Sequence, residues 1–467
     1  MHRSVLSLAV LPLLAGCGSL ERAAGVAAGF ASHQLCSAAF ISKVEPEAFY
    51  REAIVPTVAP LDFLLSHKVD LERGEVTAGF AGLAERRAVY RGEEGCLVLH
   101  DPPPPPAPPA AVAGAESPPV VPANPALLSA LDRVFTENDR APYRHTKAVV
   151  VMHEGRIVAE RYAPGYGVDT PIIGWSATKS VTNALIGILV RQGKVSLSGP
   201  ASVATWADPK DPRHAITVDN LLRMNSGLDI GQSMSAGVSD AFDPSSHMVF
   251  GERDMAAFAE RARLRAAPGT EWTYTNGNTL ILSRIVRDAA GGDAAAVLAF
   301  ARRELFDRIG MRHVPLEVDA TGTPVGSSHM LASARDWARF GHLYLDDGMV
   351  GGKRLLPEGW VDYSATFTPG SEQYGYAAGF WTNRADSGGA LYRTKAGIPA
   401  DAFMARGAFG QYVIVIPSKR LVVARFGMAF TPRDDMDTVA RLVADVIAAL
   451  PPSEANHVPP PKRGRGT

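Results

Sequence analysis

The chain has 467 residues, of which 46% are hydrophobic and 20% are charged, as expected of a folded protein with a large buried core. The formal net charge of −1 supplies no basic surface, so we expect no nucleic-acid partner. Three cysteines are too few for a disulfide scaffold, and no group of His, Cys, Asp and Glu has metal-ligand spacing in the sequence. We therefore expect neither a metal nor another cofactor.

The N-terminus carries the pattern of an export signal. A positive charge precedes an apolar stretch at 5–14 that is too short to span a bilayer, and residues 14–17 read Leu-Ala-Gly-Cys. This pattern resembles the bacterial lipoprotein signal, which implies that 1–16 is a signal peptide and that Cys17 is lipidated. An ordinary secretory signal is the alternative. Gly18 follows the cysteine where Asp would favour inner-membrane retention, which implies a lipid anchor in the cell envelope, on the periplasmic face of the outer membrane.

Residues 17–100 are predicted to form a small N-terminal accessory module. Helical and extended segments alternate there without a pattern of catalytic side chains. Export to an oxidising compartment would leave Cys36 and Cys96 free to form a disulfide. We therefore assign this module a closing disulfide but no site chemistry.

Two stretches of biased composition separate the parts of the chain. Residues 101–125 are dominated by Pro and Ala, which cannot build a core and favour an extended linker. Residues 451–467 combine prolines with a short basic cluster and are predicted to be a disordered tail. The main domain therefore covers 126–450.

The main domain has extended segments at both ends and helical segments between them. This order predicts an α/β (α+β) fold, in which an antiparallel β-sheet is flanked by helices and carries a mostly helical subdomain. The predicted strands are 148–152, 156–162, 376–381, 402–406, 411–416 and 420–426, and the predicted helices are 127–136, 218–224, 254–263, 280–288, 294–309, 334–344 and 436–450.

A further helix, within residues 174–192, carries the strongest chemical signal. It is apolar nearly all round, which is typical of a buried helix, and Ser176 and Lys179 stand three residues apart at its start. A serine becomes a good nucleophile when a base takes its proton, and a buried lysine near a helix N-terminus can be that base. The alternative is that Ser176 only caps the helix. A lysine at this position opposes the helix dipole, however, which favours a functional role.

Two later stretches strengthen this hypothesis. Tyr274 and Asn276 are separated by one residue, so both side chains point the same way if the segment is extended. Near the C-terminus, Gly407 and Ala408 belong to a run of small residues at a predicted strand edge. Exposed backbone N–H groups at such an edge can form an oxyanion hole.

The order of these motifs resembles the serine β-lactamase and penicillin-binding protein superfamily over about residues 127–450. The closer resemblance is to its class C-like branch, and within it to 6-aminohexanoate-dimer hydrolase-like serine hydrolases. Further landmarks of the resemblance are 216–228, 305–311 and 333–340.

The resemblance implies a role for each site residue. Ser176 would be the acylated nucleophile, Lys179 its proton-transfer partner, and Tyr274 a second proton-transfer group that later activates water. Asn276 would bond to Lys179 or to the substrate. The backbone N–H groups of Ser176 and Ala408, beside Gly407, would hold the oxyanion.

One motif departs from the family pattern. Where lactamases and carboxypeptidases carry Lys or His followed by Thr or Ser, the counterparts here are Ala405 and Arg406, unless the register is off by one. Neighbouring strand residues point to opposite faces, so Arg406 would not replace a charge lost at 405. The resemblance therefore implies a small-molecule ester or amide as substrate rather than a β-lactam, and leaves the oligomeric state unknown.

Two other classes remain for comparison. A catalytically silent envelope lipoprotein that binds peptidoglycan or a protein partner would suit the linker and the accessory module, but it has no need for a lysine against a helix dipole. An α/β-hydrolase is disfavoured because residues 174–178 lack the second glycine of G-x-S-x-G.

Overall fold

The computed structural model describes residues 7–100, 117–122, 124–233, 238–312 and 314–451, with side chains from Gly18 onward. The lipidation predicted at Cys17 and the tail after residue 451 thus lie outside the described side chains. In the N-terminal part, a long helix is followed by short helices and four strands. They are α1 (Ser7–Cys36), α2 (Pro46–Phe49), α3 (Val55–Val58), β1 (Leu65–Asp70), β2 (Glu75–Phe80), β3 (Ala84–Tyr90) and β4 (Cys96–Val98).

The main domain begins with a helix and a hairpin and ends with strands and a helix, as predicted. Its helices are α4 (Pro125–Phe135), α5 (Thr178–Arg191), α6 (Val218–Leu222), α7 (Pro244–Gly251), α8 (Met255–Glu260), α9 (Asn276–Ala290), α10 (Ala294–Ala301), α11 (Ala334–Leu345), α12 (Trp360–Ala365), α13 (Gly388–Lys395) and α14 (Met436–Ala449). Its strands are β5 (Thr146–His153), β6 (Arg156–Tyr162), β7 (Ile172–Ile173), β8 (Leu331–Ala332), β9 (Met349–Val350), β10 (Lys353–Arg354), β11 (Trp381–Thr382), β12 (Phe403–Gly407), β13 (Gln411–Ile416) and β14 (Leu421–Gly427).

Among the described residues, the central sheet has six antiparallel strands in the order β11-β12-β13-β14-β5-β6. Both faces of this sheet are covered, so its inner strands contain runs of consecutive apolar residues rather than apolar residues at alternate positions. In β13, Val413 and Val415 pack toward α5, α9 and α11, whereas Ile414 and Ile416 pack toward α4 and α14. The predicted sheet flanked by helices is thereby confirmed.

The N-terminal part packs directly on the main domain. α1 lies against β2, β3 and α7, and its residues Ala31 and Leu35 share one apolar cluster with Ile173, Leu331 and Met428 of the main domain. A disulfide joins Cys36 at the end of α1 to Cys96 at the start of β4. Sequence reasoning missed α1 beyond the signal region, together with β1 and β4.

The buried carboxylate of Glu317 fixes this packing. It accepts hydrogen bonds from Ser37 Oγ at 2.9 Å and from the Cys96 N–H at 2.8 Å, and it lies 3.2 Å from His33 Nε2. A Cβ on Gly95 would lie 2.4 Å from the Glu317 side chain, so the close approach requires glycine there. The N-terminal part is thus anchored to the main domain by a carboxylate that sequence patterns do not indicate.

A hydrophobic stretch of membrane-spanning length begins in α1 and continues six residues beyond it. In the described part of the chain, only Gly18–Ser42 is long and apolar enough to cross a membrane, and 78% of its apolar window is buried in the fold. A buried core helix and a signal sequence both meet this criterion. The stretch is therefore only weak support for export.

The end of the predicted linker is bound to the main domain. Arg335 donates to the carbonyl oxygens of Ser117 and Pro118, and the Val120 N–H donates to Glu160. Because Arg335 and Glu160 also form a buried ion pair, this contact has a fixed place on the domain.

Candidate active site

Ser176 lies in a tight turn that leads into the buried helix α5. Residues Trp175–Ala177 form a single 3-10 turn before α5 begins. The N-cap residue of α5 is Ala177, and no side chain caps this end, so Ser176 is not a capping residue. Trp175 has a positive φ of 46°, an unfavourable conformation for a bulky residue that is often found beside active sites.

The amine of Lys179 is held beside Ser176 by two further acceptors. Its Nζ lies 3.2 Å from Ser176 Oγ, and it donates to Asn276 Oδ1 at 2.7 Å and to the Ser327 carbonyl at 2.9 Å. The residue is only 2% exposed, and burial lowers the pKa of Lys179 to about 7. A neutral amine can donate one hydrogen bond to Asn276 Oδ1 and one to the Ser327 carbonyl, and it can then direct its lone pair to the serine hydroxyl. The geometry therefore suits a general base.

The aromatic ring of Tyr274 lies next to the Lys179 amine. Lys179 Nζ is 4.9 Å from the centre of the tyrosine ring, which packs 5.5 Å from the rings of both Tyr376 and Trp381. Burial raises the pKa of Tyr274 to about 12, although the neighbouring Ser176 hydroxyl opposes the shift. The phenol is therefore protonated at neutral pH and can donate.

Asn276 is the first residue of α9 rather than part of an extended loop. The helix begins there because the Thr275 side chain accepts from the Gly277 N–H. The Asn276 backbone N–H donates to Ser233 Oγ at 3.1 Å, and its Nδ2 donates to Ser245 Oγ at 3.3 Å. These bonds turn Oδ1 toward Lys179. Sequence reasoning missed both serines, because they lie far from Asn276 in the chain and belong to no local motif.

Strand β12 brings its C-terminal end against the Ser176 turn. A Cβ on Gly407 would lie 2.1 Å from the Gly174 carbonyl oxygen, so only glycine allows this approach. Among the described residues, the backbone N–H groups of Ser176 and Ala408 donate to no backbone carbonyl, and both residues line one cavity. Two unpaired N–H groups beside a serine are the arrangement expected of an oxyanion hole.

The residues before Gly407 point to opposite faces, as predicted. Ala405 is 1% exposed and belongs to the main core. The Arg406 guanidinium lies 5.3 Å from the Trp381 ring centre and 2.8 Å from an Asp434 carboxylate oxygen. The one positive charge of this motif is therefore already paired within the protein.

A cavity of about 220 Å³ adjoins Ser176, and its lining includes Asn276, Ser328 and Ala408. No group of three or more His, Cys, Asp and Glu within the described ranges could hold a metal ion. The site thus brings together Ser176, Lys179, Tyr274 and Asn276 with the strand edge at Gly407 and Ala408.

Known proteins share this architecture. The sequence profile of the Beta-lactamase family matches residues 131–448. A 6-aminohexanoate-dimer hydrolase from Paenarthrobacter ureafaciens is 26% identical over 261 residues, which are 52% of this chain and 64% of that enzyme. The chain thus spans less than two thirds of that relative's length.

Two solved structures have a similar fold. A candidate 6-aminohexanoate-dimer hydrolase from Bacillus anthracis superposes with a TM-score of 0.55 at 22% identity, over 71% of this chain and 87% of that one. A penicillin-binding protein homologue from Caulobacter crescentus gives 0.53 at 17% identity, over 71% and 99% of the two chains. The family profile covers most of the main domain and more than half of the whole chain. The resemblance seen in the sequence is therefore confirmed, and the chain belongs to the Beta-lactamase family.

Proposed function

We propose that the protein is an exported serine hydrolase that cleaves a small ester or amide through an acyl-enzyme on Ser176. Lys179 and Tyr274 are its proton-transfer groups. The observation that carries this proposal is the position of Lys179: its amine has a pKa of about 7 and lies 3.2 Å from the serine oxygen. A purely structural lysine would gain little from being buried without a carboxylate partner, because desolvation of the charge is costly.

Acylation begins when neutral Lys179 takes the proton of Ser176 Oγ. The oxygen forms a bond to the substrate carbonyl carbon, and the negative charge develops on the carbonyl oxygen, facing the N–H groups of Ser176 and Ala408. The bond to the leaving alcohol or amine then breaks. Tyr274 supplies the proton that the leaving group needs, and it regains one from the protonated Lys179.

Deacylation reverses the direction of proton transfer. The pair of Lys179 and Tyr274 removes a proton from a water molecule, whose oxygen attacks the acyl carbon. The ester bond to Ser176 Oγ breaks, and Oγ takes back a proton. The acid is released and the enzyme returns to its starting protonation state.

The substrate proposal follows from the absence of a free positive charge in the segment 405–407, where lactamases and carboxypeptidases carry Lys or His. Ala405 faces the core and Arg406 is paired with Asp434, so no unpaired cation of this motif is available for the carboxylate of a β-lactam. The similar protein from Paenarthrobacter ureafaciens is named a 6-aminohexanoate-dimer hydrolase, not a β-lactamase. A small ester or amide without a required carboxylate is therefore the substrate class that we propose.

Export and lipid anchoring at Cys17 are part of the same proposal. They rest on the signal-like sequence before Cys17 and on the apolar helix near the N-terminus. Metabolic labelling with a radioactive fatty acid, compared between wild type and Cys17→Ser, tests the anchor. Equal labelling of both proteins would contradict it.

Reaction with a fluorophosphonate probe tests the nucleophile. Wild type should be labelled, and Ser176→Ala should not, while the exposed control Ser418→Ala should react like wild type. Labelling that persists in Ser176→Ala would overturn the assignment. Absence of labelling in wild type would instead favour the rival function, a catalytically silent envelope protein that binds peptidoglycan or a protein partner.

A further inference from the structure

The N-terminal helix forms one wall of the cavity at Ser176. The α1 residues that line it are Leu20, Ala23, Ala24, Val26, Ala27 and Phe30. Their spacing, mostly of three and four residues, places them on one side of the helix. Three of the six are alanines, whose small side chains leave open space where larger residues would close the contact. The part of the chain without catalytic motifs therefore shapes the active site.

The rest of the lining also contains apolar side chains. It contains Val249 and Phe250 from α7, Val58 from α3, Phe80 from β2, and Phe409 from the turn after β12. The polar residues of the lining include Ser176, Ser233 and Asn276, which belong to the hydrogen-bonded catalytic group. The cavity is thus mostly apolar, with Ser176 in one part of its wall. Its lining also includes other polar side chains, namely Thr57, Gln232, Asp240, Ser245, Ser246 and Ser328.

We propose that this cavity binds the unbranched alkyl chain of the substrate's acyl group, so that the enzyme prefers medium-chain esters. The inference rests on the proposed hydrolase function and names its substrate class. A volume of about 220 Å³ equals that of roughly seven water molecules in the liquid, and a chain of about as many methylene groups fills it. Each methylene moved from water into such a site strengthens binding about fourfold.

The acyl side fits better than the alcohol side for a mechanistic reason. The leaving group must depart before water attacks, whereas the acyl group stays bonded to Ser176 until then. A space beside Ser176 that is lined by α1 and α7 therefore suits the part that remains attached.

The chain can come from a dissolved ester or from a membrane lipid. Leu20 and Phe242, which line the cavity, are 49% and 57% exposed, so apolar side chains also face the solvent there. Leu20 stands three residues after Cys17, the proposed lipid anchor. Both sources present the same chemistry, an extended alkyl chain ending in an ester.

A series of p-nitrophenyl esters from acetate to dodecanoate tests the inference in the full-length protein. We expect kcat/KM to rise by about three to four orders of magnitude from acetate to octanoate, about fourfold for each added methylene, and then to level off. Ala27→Phe, which fills the cavity, should lower the octanoate-to-acetate ratio of kcat/KM at least tenfold. Glu21→Phe adds the same ring at an exposed position of α1 outside the lining and should keep the wild-type ratio. Equal ratios in all three proteins would overturn the inference while leaving the hydrolase proposal intact.

A binding measurement keeps the inference testable without turnover. Ser176→Ala protein should bind dansylated undecanoic acid, and addition of Ala27→Phe should weaken that binding at least tenfold. Ala24→Leu serves as a second filling variant if Ala27→Phe does not fold. If Ser176→Ala did not bind dansylated undecanoic acid, the inference would be contradicted, whether or not wild type hydrolyses esters.

The source of the alkyl chain is tested separately. Faster hydrolysis of a medium-chain diacylglycerol in vesicles than of the dissolved octanoate would identify the membrane as the source, and the reverse would identify soluble esters.

Discussion

The amine of Lys179 lies 3.2 Å from the hydroxyl oxygen of Ser176, and its other contacts leave it one free direction. Asn276 Oδ1 and the Ser327 carbonyl accept from the same amine at 2.7 and 2.9 Å. Both are pure acceptors, so they bind the two protons of a neutral amine and direct its lone pair to Ser176. This single arrangement decides the pH dependence, the stability and the response to mutation of the site.

The first prediction concerns activity and pH. The pKa of Lys179 is lowered to about 7, and only the neutral amine can accept the serine proton. For an uncharged ester, kcat/KM should therefore rise with pH about a midpoint near 7 and reach a plateau above it. The measurement is a pH profile of kcat/KM with p-nitrophenyl acetate. A profile that stays flat from about pH 5 to about pH 9 would exclude Lys179 as the base.

The lowered pKa of Lys179 also predicts that burying this lysine reduces the free energy of unfolding near neutral pH. In the unfolded chain Lys179 has a pKa near 10.4, whereas in the folded protein it is about 7, so between these values the unfolded state binds the extra proton. The free energy of unfolding should therefore rise with pH in this window. Between about pH 7 and about pH 9 the lysine contributes about 2 kcal/mol of this rise.

Urea unfolding of Lys179→Met at the two pH values measures this contribution. The variant should lack the rise, and it should be more stable than wild type near neutral pH because no charge has to be desolvated. The exposed Lys419→Met is the matched control and should follow wild type. If Lys179→Met and wild type gained equal stability over this range, the folded amine would not be neutral.

Asn276→Asp should move the activity profile to higher pH. It places a carboxylate where Oδ1 now lies 2.7 Å from Lys179 Nζ, and a nearby negative charge favours the protonated amine. We expect the midpoint to rise by at least about one unit and kcat/KM near pH 7 to fall about tenfold, with recovery at higher pH. Asn276→Ala removes the acceptor without adding charge and should lower activity without raising the midpoint. Coincident profiles for Asn276→Asp and Asn276→Ala would contradict the electrostatic explanation.

Tyr274→Phe tests the second proton-transfer group. The substitution keeps the aromatic ring beside the Lys179 amine, but it removes the hydroxyl group, which is protonated at neutral pH. Loss of a general acid lowers kcat by about a hundredfold to ten-thousandfold. Stopped-flow kinetics of ester hydrolysis measure the effect.

Tyr376→Phe is the control for this change, because its ring packs 5.5 Å from that of Tyr274. We expect it to keep nearly normal turnover. Similar losses in both variants would indicate that the aromatic cluster, and not the Tyr274 hydroxyl, matters.

The contacts that could be predicted from the sequence are those with a local pattern. Ser176 in the 3-10 turn and Lys179 at the start of α5 are three residues apart, and this spacing alone brings their side chains together. The sheet could be predicted because its inner strands are continuous apolar runs. The order of the motifs along the chain then identified the family.

The parts that could not be predicted depend on contacts between residues distant in the sequence. Ser233 and Ser245 orient Asn276 across 43 and 31 residues. The buried Glu317 holds Cys96 across 221 residues. No periodicity encodes such pairs, and the role of α1 in the cavity is missed for the same reason.

The last prediction concerns charge recognition beside the site. Arg406 is paired with Asp434 at 2.8 Å, and its positive charge acts to lower the pKa of Tyr274. Asp434→Asn removes the pairing charge. Asn tolerates the positive φ of 54° at this position, and its Oδ1 can still accept from the Phe409 N–H. The freed guanidinium should then attract a substrate carboxylate.

We expect kcat/KM for a hemisuccinate ester to rise about tenfold relative to that for the uncharged butyrate ester of the same alcohol, because one charge-assisted hydrogen bond is worth about 1.5 kcal/mol. The double variant Asp434→Asn with Arg406→Gln should lose this gain, since no cation remains to bind the carboxylate. A gain that survives in the double variant would show that Arg406 is not the group that reads the charge.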